Sequence, residues 1–161
     1  MSEQLLESLH VVSAIVPINT TGAAAAGDWI SMKGYRRMLC IIQQGAWAGG
    51  TPALTFAQAT AAAGTGTKAL SYTKRYDGVA LTQDILTSAA VTSDTSNLSS
   101  TANSFVVVEF HEQDLDRANG FYYVQINVAS PGANADLISA IVILGDPHAT
   151  RVATLHQTAI T

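Results

Sequence analysis

The clearest pattern along this chain is a pair of apolar runs separated by a short polar segment. The runs cover residues 105–110 and 121–128, and both are rich in β-branched and aromatic residues. Residues 111–120 lie between them and end in Asn-Gly, a pair that is typical of turns. The pattern predicts two central β-strands joined by a structured corner. This corner is also the only place where acidic residues and a histidine crowd together.

Shorter runs with strand periodicity occur on both sides of this pair. Leu54 and Phe56 alternate with smaller or polar residues, which predicts a half-buried strand over 53–61. A predicted strand over 35–44 has a nearly continuous apolar segment at 38–42, which favours burial on both faces. In residues 28–32 we expect Trp29 in the core, on the face opposite Ile30 and Met32. Further strands are predicted at 11–18, 68–76, 79–86 and 137–144, and a long loop with one short edge strand at 88–103.

Turn signals recur about every ten residues, and no long helix is predicted. The sequence therefore predicts an all-β protein, an antiparallel β-sandwich or jelly roll of roughly eight strands with extended N- and C-terminal arms. We expect an N-terminal arm over residues 1–10, a β-sandwich domain over 11–147 and an extended tail over 148–161.

The composition adds one strong constraint, a shortage of charge. Charged residues make up 12% of the 161 residues, against about 25% in ordinary soluble domains. A domain with so few charges is expected to cover part of its surface in an oligomer or against a large partner. The net charge of −4 argues against nucleic acid as a partner. No apolar run approaches the roughly 18 residues of a membrane helix, and the N-terminus lacks the basic start of a secretory signal, so we expect synthesis in a cytoplasm.

The corner is the first place to look for chemistry, because carboxylates there offer ligands for a hard cation or a catalytic pair. The spacing matches no calcium loop, and neighbouring glutamates beside a strand end do not make a cleft. We therefore interpret the segment as a turn in which Asp114 and Asp116 bond to backbone N–H groups, while Arg117 offsets their charge. The residues in question are Glu109, His111, Glu112, Asp114 and Asp116.

Other reactive side chains give no catalytic pattern. Cys40 is the only cysteine and lies in an apolar run, which indicates a buried thiol. No Gly-x-Ser-x-Gly elbow is present. The histidines show no metal-ligand spacing, and those of the tail are expected to be solvated or at an interface. They are His10, His111, His148 and His156. We expect neither an enzyme nor a cofactor.

Contact residues are predicted at the two ends and in one loop. Leucines of the N-terminal arm share one face of a short helical turn. Trp47, flanked by alanine and glycine, is a candidate interface anchor, with a sugar-stacking platform as its rival interpretation. Apolar and basic residues of the tail complete the set. The predicted interface residues are Leu5, Leu6, Leu9, Trp47, Arg151, Val152 and Leu155.

Several segments taken together carry a resemblance that spans about residues 14–149. They are Val-Pro-Ile at 16–18, Gly-Asp-Trp-Ile-Ser-Met-Lys-Gly-Tyr at 27–35, Gly-Thr-Pro-Ala-Leu-Thr at 50–55, Gln-Ala-Thr at 58–60, Gly-Thr-Gly-Thr-Lys-Ala-Leu at 64–70, Asp-Leu-Asp at 114–116, Asn-Gly-Phe at 119–121 and the closing residues 144–147. The chain resembles a family of small structural proteins encoded in the head-morphogenesis region of tailed phages and prophages.

The resemblance implies a virion protein, and within that class a capsid decoration, or cement, protein on the exterior of the head. Such proteins are typically β-rich and often homotrimeric, so the implied partners are the major capsid protein and further copies of the chain. A head fibre or lectin-like module that binds host glycans, and a head–tail or tail component, stay open as alternatives. The shared residues are glycines, prolines, tryptophans and turn residues, so the resemblance implies no catalytic or ligand residue.

Overall fold

The computed structural model describes residues 8–79, 87–89 and 95–148, and most of this part of the chain is β-strand. Two 3-10 turns, Glu112–Asp114 and Arg117–Asn119, lie between the tenth and eleventh strands. The strands are β1 (His10–Asn19), β2 (Ala25–Ala26), β3 (Ile30–Ser31), β4 (Tyr35–Trp47), β5 (Ala53–Ala59), β6 (Lys68–Ala69), β7 (Arg75–Val79), β8 (Thr87–Ala89), β9 (Thr95–Asn97), β10 (Ser104–His111), β11 (Tyr123–Val128) and β12 (Asp136–Pro147).

The strands form two antiparallel sheets. The first sheet has the order β1-β12-β4-β10-β7-β8, and the second has the order β2-β11-β5-β6, with β3 also on β11 and β9 also on β5. This arrangement confirms the predicted antiparallel all-β sandwich. β10 and β11 lie in different sheets, so the corner between them carries the chain from the first sheet to the second.

The core lies between the sheets and follows the two-residue period of a strand. In β4 the even-numbered residues from Met38 to Gln44 point inward, and in β5, β10 and β11 the even-numbered residues do the same. The inward side chains that are almost completely buried include Met38, Cys40, Ile42, Leu54, Phe56, Val106, Val108, Phe110, Val124, Ile126 and Val128. Alternation in the sequence thus determines which face of each strand is buried.

Three aromatic rings connect the two sheets at the centre of this core. Phe56 of β5 makes edge-to-face contacts with Phe110 of β10, at a centroid distance of 4.9 Å, and with Tyr72, at 5.0 Å. Tyr72 comes from the segment between β6 and β7, and its hydroxyl donates a hydrogen bond to the Leu54 carbonyl oxygen at 3.2 Å. The cluster therefore joins the first sheet, the second sheet and the segment between β6 and β7 through direct side-chain contacts.

Three sequence predictions are corrected. The segment 38–42 is not buried on both faces, because Leu39 and Ile41 of β4 are only half-buried on the side facing away from the core. The run 68–76 is not one strand. It divides into β6 in the second sheet and β7 in the first. Trp29 is half-buried between β2 and β3 and packs against Gly64, while Ile30 is the fully buried neighbour.

Other predictions hold within the described residues. The predicted strands over 11–18, 53–61 and 137–144 are present as β1, β5 and β12, and the loop after residue 88 includes the short strand β9. The predicted strand over 79–86 lies almost wholly outside the described residues. β1 begins at His10. The division into arm, domain and tail stays a prediction. Across the ranges that the structure describes, no helix is long and apolar enough to cross a membrane.

A buried polar network closes one end of the sandwich. Asp136, fully buried at the start of β12, accepts a hydrogen bond from Gln44 Nε2 at 2.9 Å through Oδ2, and its Oδ1 has no hydrogen-bond partner. Ser104 Oγ donates to Gln44 Oε1 at 3.0 Å, and Thr20 Oγ1 donates to the Asp136 carbonyl oxygen at 3.0 Å. Burial raises the pKa of Asp136, and the Gln44 bond only partly opposes this.

This raised pKa predicts a pH-dependent effect of Asp136→Asn. A carboxyl group whose pKa is higher in the folded state stabilises the fold most at low pH, and that contribution is lost as the pH rises through the folded-state pKa. We therefore expect the stability of Asp136→Asn, relative to wild type, to improve as the pH rises from about 3.9, the ordinary Asp value, towards neutrality. Urea denaturation across a pH series checks this. Asp28→Asn, at an exposed position, is the control. If the difference in unfolding free energy between Asp136→Asn and wild type does not vary with pH, the prediction is contradicted.

Candidate functional site

The acidic corner is a set of paired side chains around the two 3-10 turns. The Asp114 Oδ2 atom accepts a hydrogen bond from the His111 backbone N–H at 2.7 Å, which confirms its predicted role in the turn. Gly120 ends the second turn with a φ of 82°, a left-handed conformation that favours glycine. These two local features shape the turns of the corner.

Asp116 connects the corner to the second sheet. Its backbone N–H donates to Gln58 Oε1 of β5 at 2.9 Å, and its carboxylate forms an ion pair with Lys68 of β6. The carboxylate also accepts a bond from Asn119 Nδ2 at 2.9 Å. The Lys68 ammonium and then the Asn119 amide lower the pKa of Asp116. This carboxylate is thus held chiefly by side chains, where the sequence had indicated backbone N–H groups.

Glu112 is the second charged centre of the corner. Its Oε2 atom lies 2.6 Å from Arg117 NH1 and 2.7 Å from His148 Nε2. Arg117 therefore pairs with Glu112, and not with the aspartates as predicted. His148, predicted to be solvated or at an interface, follows β12, and its backbone N–H donates to the Gly34 carbonyl oxygen at 2.9 Å. Glu112 therefore joins the corner to the end of the last strand.

A cleft of about 530 Å³ opens beside these residues. The Lys33 ammonium lies 5.3 Å from the ring centroid of Tyr122, and the Arg117 guanidinium lies 5.9 Å from it. The charges of the cleft thus contact each other or aromatic rings, as expected of a packed structural corner. The cleft is lined by Met32, Lys33, Gly34, Glu112, Leu115, Arg117, Tyr122 and His148.

Two kinds of reactive group can be checked directly in the described part of the chain, a metal-ligand cluster and the cysteine thiol. That part of the chain contains no group of three or more His, Cys, Asp or Glu residues placed to hold a metal ion. Cys40 is fully buried, and burial raises the pKa of its thiol, which disfavours the thiolate form that a nucleophile needs. The chemistry-bearing side chains of the corner therefore act as structural links between elements.

The feature that sequence reasoning missed is the outer face of the first sheet, the side that points away from the core. Side chains of directly paired residues share a face, and one uncharged row crosses five strands through the pairs Ser13–Ile141, Ile141–Ile41, Ile41–Val107 and Val107–Tyr76. We define the outer face by Val11, Ser13, Leu39, Ile41, Gln43, Tyr76, Phe105, Val107, Leu137, Ser139, Ile141 and Ile143.

Several large apolar side chains of this outer face are exposed, although Val107 within it is buried. The ring of Phe105 lies over Gly78, where a Cβ atom would collide with it, and Leu137 lies over Gly45, where a Cβ atom would sit 3.3 Å from the Leu137 Cβ. The exposed fractions of Val11, Leu137 and Ile141 are 52%, 46% and 40%. Neighbouring large apolar side chains that are exposed on a sheet surface are typical of a contact surface.

Among the residues that the structure describes, charged groups border the outer face at one end. Arg37 NH2 lies 3.2 Å from Glu109 Oε1, and His111 Nε2 lies 3.6 Å from the same oxygen. Lys74 Nζ lies 3.2 Å from His111 Nε2. These groups pair with each other along the edge, so the face combines an apolar centre with a polar margin, as protein interfaces do.

The predicted interface residues fall in three places. Leu9 packs against Gly145, next to the first pair of β1 and β12, and extends the outer face beyond Val11. Trp47 ends β4, is half-buried, and donates from Nε1 to the Gly50 carbonyl oxygen at 2.8 Å. The other five, Leu5, Leu6, Arg151, Val152 and Leu155, lie outside the described residues, as does His156.

Comparison with known proteins gives a distant structural similarity. No family model matches the sequence, and no curated protein matches it. Among solved structures, the chain is similar to the SPBc2 prophage-derived protein YomS, with a TM-score of 0.47 and 14% sequence identity over 84% of this chain and 92% of that one. A similarity this distant assigns neither a family nor a function.

Proposed function

We propose that this chain is a structural protein of a tailed-phage virion, a capsid decoration protein that binds the exterior of the assembled head. The observation that carries the proposal is the outer face of the first sheet, a wide uncharged apolar surface on a domain with few charges. Such a surface suits permanent burial in an assembly. The resemblance of residues 14–149 to head-region phage proteins supports the same conclusion.

The positions of the resembling residues also favour a structural role. Gly64 contacts Trp29, Gly120 ends the corner, and Asp116 binds Lys68. Each of these residues stabilises the sandwich or its corner, and none lines an assembled reactive centre. The proposed partners are the major capsid protein and further copies of this chain, with no cofactor.

The proposal predicts saturable binding to phage heads. Purified full-length protein should co-sediment with capsids assembled from the major capsid protein of the same phage, and should raise the temperature at which those capsids disrupt, because a ligand of the assembled state stabilises it. Quantitative gels of purified virions should give copies in the hundreds, in proportion to the capsid lattice. Failure to bind capsids, together with absence from virions, would refute the proposal.

Copy number also distinguishes the alternatives. A head–tail or tail component is expected at a small count set by the symmetry of the tail axis. A head fibre or glycan-binding module is expected to give a signal on a glycan array, both as free protein and on the virion. Neither alternative uses the uncharged outer face as directly as attachment to a lattice does.

A further inference from the structure

We infer that the cleft beside the acidic corner is a binding site for a carboxylate joined to an apolar group, of the kind that a protein chain presents at a C-terminus with an apolar last residue. The cleft has a volume of about 530 Å³ and is lined by residues that the structure describes. None of them belongs to the outer face of the first sheet, so the inference goes beyond the proposed function and does not rest on it.

The cleft is preformed, because backbone hydrogen bonds hold its walls together. The Tyr35 N–H donates to the Met32 carbonyl oxygen at 3.1 Å and closes the turn between β3 and β4, in which Gly34 has a φ of 88°. The Met32 N–H donates to the Tyr122 carbonyl oxygen at 2.8 Å, and the His148 N–H donates to that of Gly34 at 2.9 Å. Walls that are already ordered reduce the entropy lost when a ligand binds.

The cleft carries an excess of positive charge in a chain whose net charge is −4. Lys33 and Arg117 contribute two positive charges and Glu112 one negative charge, so the lining has a net charge of +1 with His148 neutral. Arg117 is paired with Glu112. Among the described residues no carboxylate pairs with Lys33, whose ammonium lies 5.3 Å from the ring centroid of Tyr122. One cation of the cleft is therefore available to a ligand.

Apolar side chains make the cleft suitable for a ligand that is more than a simple anion. Met32 and Leu115, which are 3% and 6% exposed, line it together with Tyr122. Binding sites for small ligands combine mostly apolar walls with a few polar groups that set the orientation. In this cleft the carboxylate would face Lys33 and Arg117, while the apolar group would contact Met32 and Leu115.

Two other classes of anion fit the lining less well. A phosphate monoester carries close to two negative charges at neutral pH, which exceeds the net charge of the cleft and adds repulsion from Glu112. A sugar acid would stack on the ring of Tyr122, but the Lys33 ammonium and the Arg117 guanidinium already lie over that ring, at 5.3 Å and 5.9 Å from its centroid. The cleft therefore favours a polypeptide carboxylate over a phosphate or a glycan.

The test is a titration of the full-length, isotope-labelled protein, followed by amide chemical shifts in NMR spectra at neutral pH. The probe is N-acetylphenylalanine, which presents a carboxylate beside an aromatic side chain. We expect saturable shifts at Lys33, Gly34 and Tyr122, with a dissociation constant of roughly a millimolar for a ligand of this size. N-acetylphenylalaninamide has the same ring but no charge, and it should bind about tenfold more weakly because the charged hydrogen bonds are lost.

Lys33→Gln tests the role of the available cation. This variant should bind N-acetylphenylalanine about fivefold more weakly, the effect of one exposed ion pair, and should keep the wild-type affinity for the amide probe. Lys74→Gln is the matched control, since Lys74 is an exposed lysine that contacts His111 outside the cleft, and it should bind both probes as wild type does. Circular dichroism establishes that each variant is folded.

The inference is overturned if N-acetylphenylalanine gives no saturable shifts at the cleft, if the amide probe binds equally well, or if Lys33→Gln binds N-acetylphenylalanine as wild type does. Tighter binding of glucuronate or of phenyl phosphate would also overturn it, and would assign the cleft to a glycan or to a phosphate ligand. Co-sedimentation with capsids is a separate measurement, so the inference and the proposed function can fail independently.

Discussion

Replacing Phe56 with alanine is expected to lower the free energy of unfolding by about 3–5 kcal/mol, the usual cost of removing a large aromatic side chain from a packed core. Phe56 is 2% exposed and contacts both Tyr72 and Phe110. Its removal leaves a cavity between the sheets and also ends two edge-to-face contacts. Because Phe110 and Tyr72 belong to different segments, the surrounding structure has little freedom to close the cavity.

Urea denaturation, followed by circular dichroism at fixed protein concentration, measures this loss. The control is Thr55→Ala, next to Phe56 on the opposite, half-buried side of β5, with an expected change within about 0.5 kcal/mol. A loss below about 1 kcal/mol for Phe56→Ala would show that the aromatic cluster does not hold the two sheets together.

The sequence was sufficient for the fold class because alternation is a local signal. The alternation around Phe56 in β5 and the apolar residues of β12 each indicate a strand without knowledge of its partners. The run over 68–76 was misread for a physical reason: its periodicity continues while the chain passes from β6 in one sheet to β7 in the other. A period of two does not indicate which sheet a residue belongs to.

The contact surface was harder to predict for a similar reason. Ile41 lies in a continuous apolar run, which is typical of a strand buried on both faces, and the sequence therefore predicts it in the interior. Ile141 lies in a similar run, for which the sequence predicts a strand and no outer contact face. The structure places them side by side on the outer face of the first sheet. A continuous apolar run in an antiparallel protein with few charges thus has two explanations. The strand is buried on both faces within the domain, or its second face is exposed and is available to contact another molecule.

The corner shows the opposite case, in which local sequence defines a structure but suggests too much chemistry. Asp114 acts in the turn as its sequence context predicts. The partners Lys68 and His148 come from distant segments of the chain, so the sequence of the corner does not predict these ion pairs. Their pairing with Asp116 and Glu112 turns a group of carboxylates that suggests a metal site into a set of ion pairs.

Gly27→Ala is expected to destabilise the fold by about 1–3 kcal/mol, the cost of forcing an extra group into a packed site. The Gly27 backbone N–H donates to the Ile126 carbonyl oxygen at 2.8 Å, and its carbonyl oxygen accepts from Gln125 Nε2 at 2.8 Å, both in β11. A Cβ atom at Gly27 would lie 2.9 Å from the Ala14 carbonyl oxygen and 3.3 Å from that of Ile126. Since β1 and β11 belong to different sheets, relief requires movement of backbone in both.

The matched control for this substitution is Gly45→Ala, followed by the same denaturation measurement. At Gly45 a Cβ atom would lie 3.3 Å from the Leu137 Cβ and 3.8 Å from the nearest backbone atom, the Leu137 carbonyl oxygen, so a shift of a few tenths of an ångström is enough to relieve the contact. Alanine also loses less conformational entropy on folding than glycine, so this variant should be as stable as wild type within about 0.5 kcal/mol. If the two variants lose the same free energy of unfolding, the backbone contacts specific to Gly27 are not the cause of the destabilisation, and the prediction is contradicted. A loss confined to Gly27→Ala would establish that this glycine is needed where the chain passes between β1 and β11.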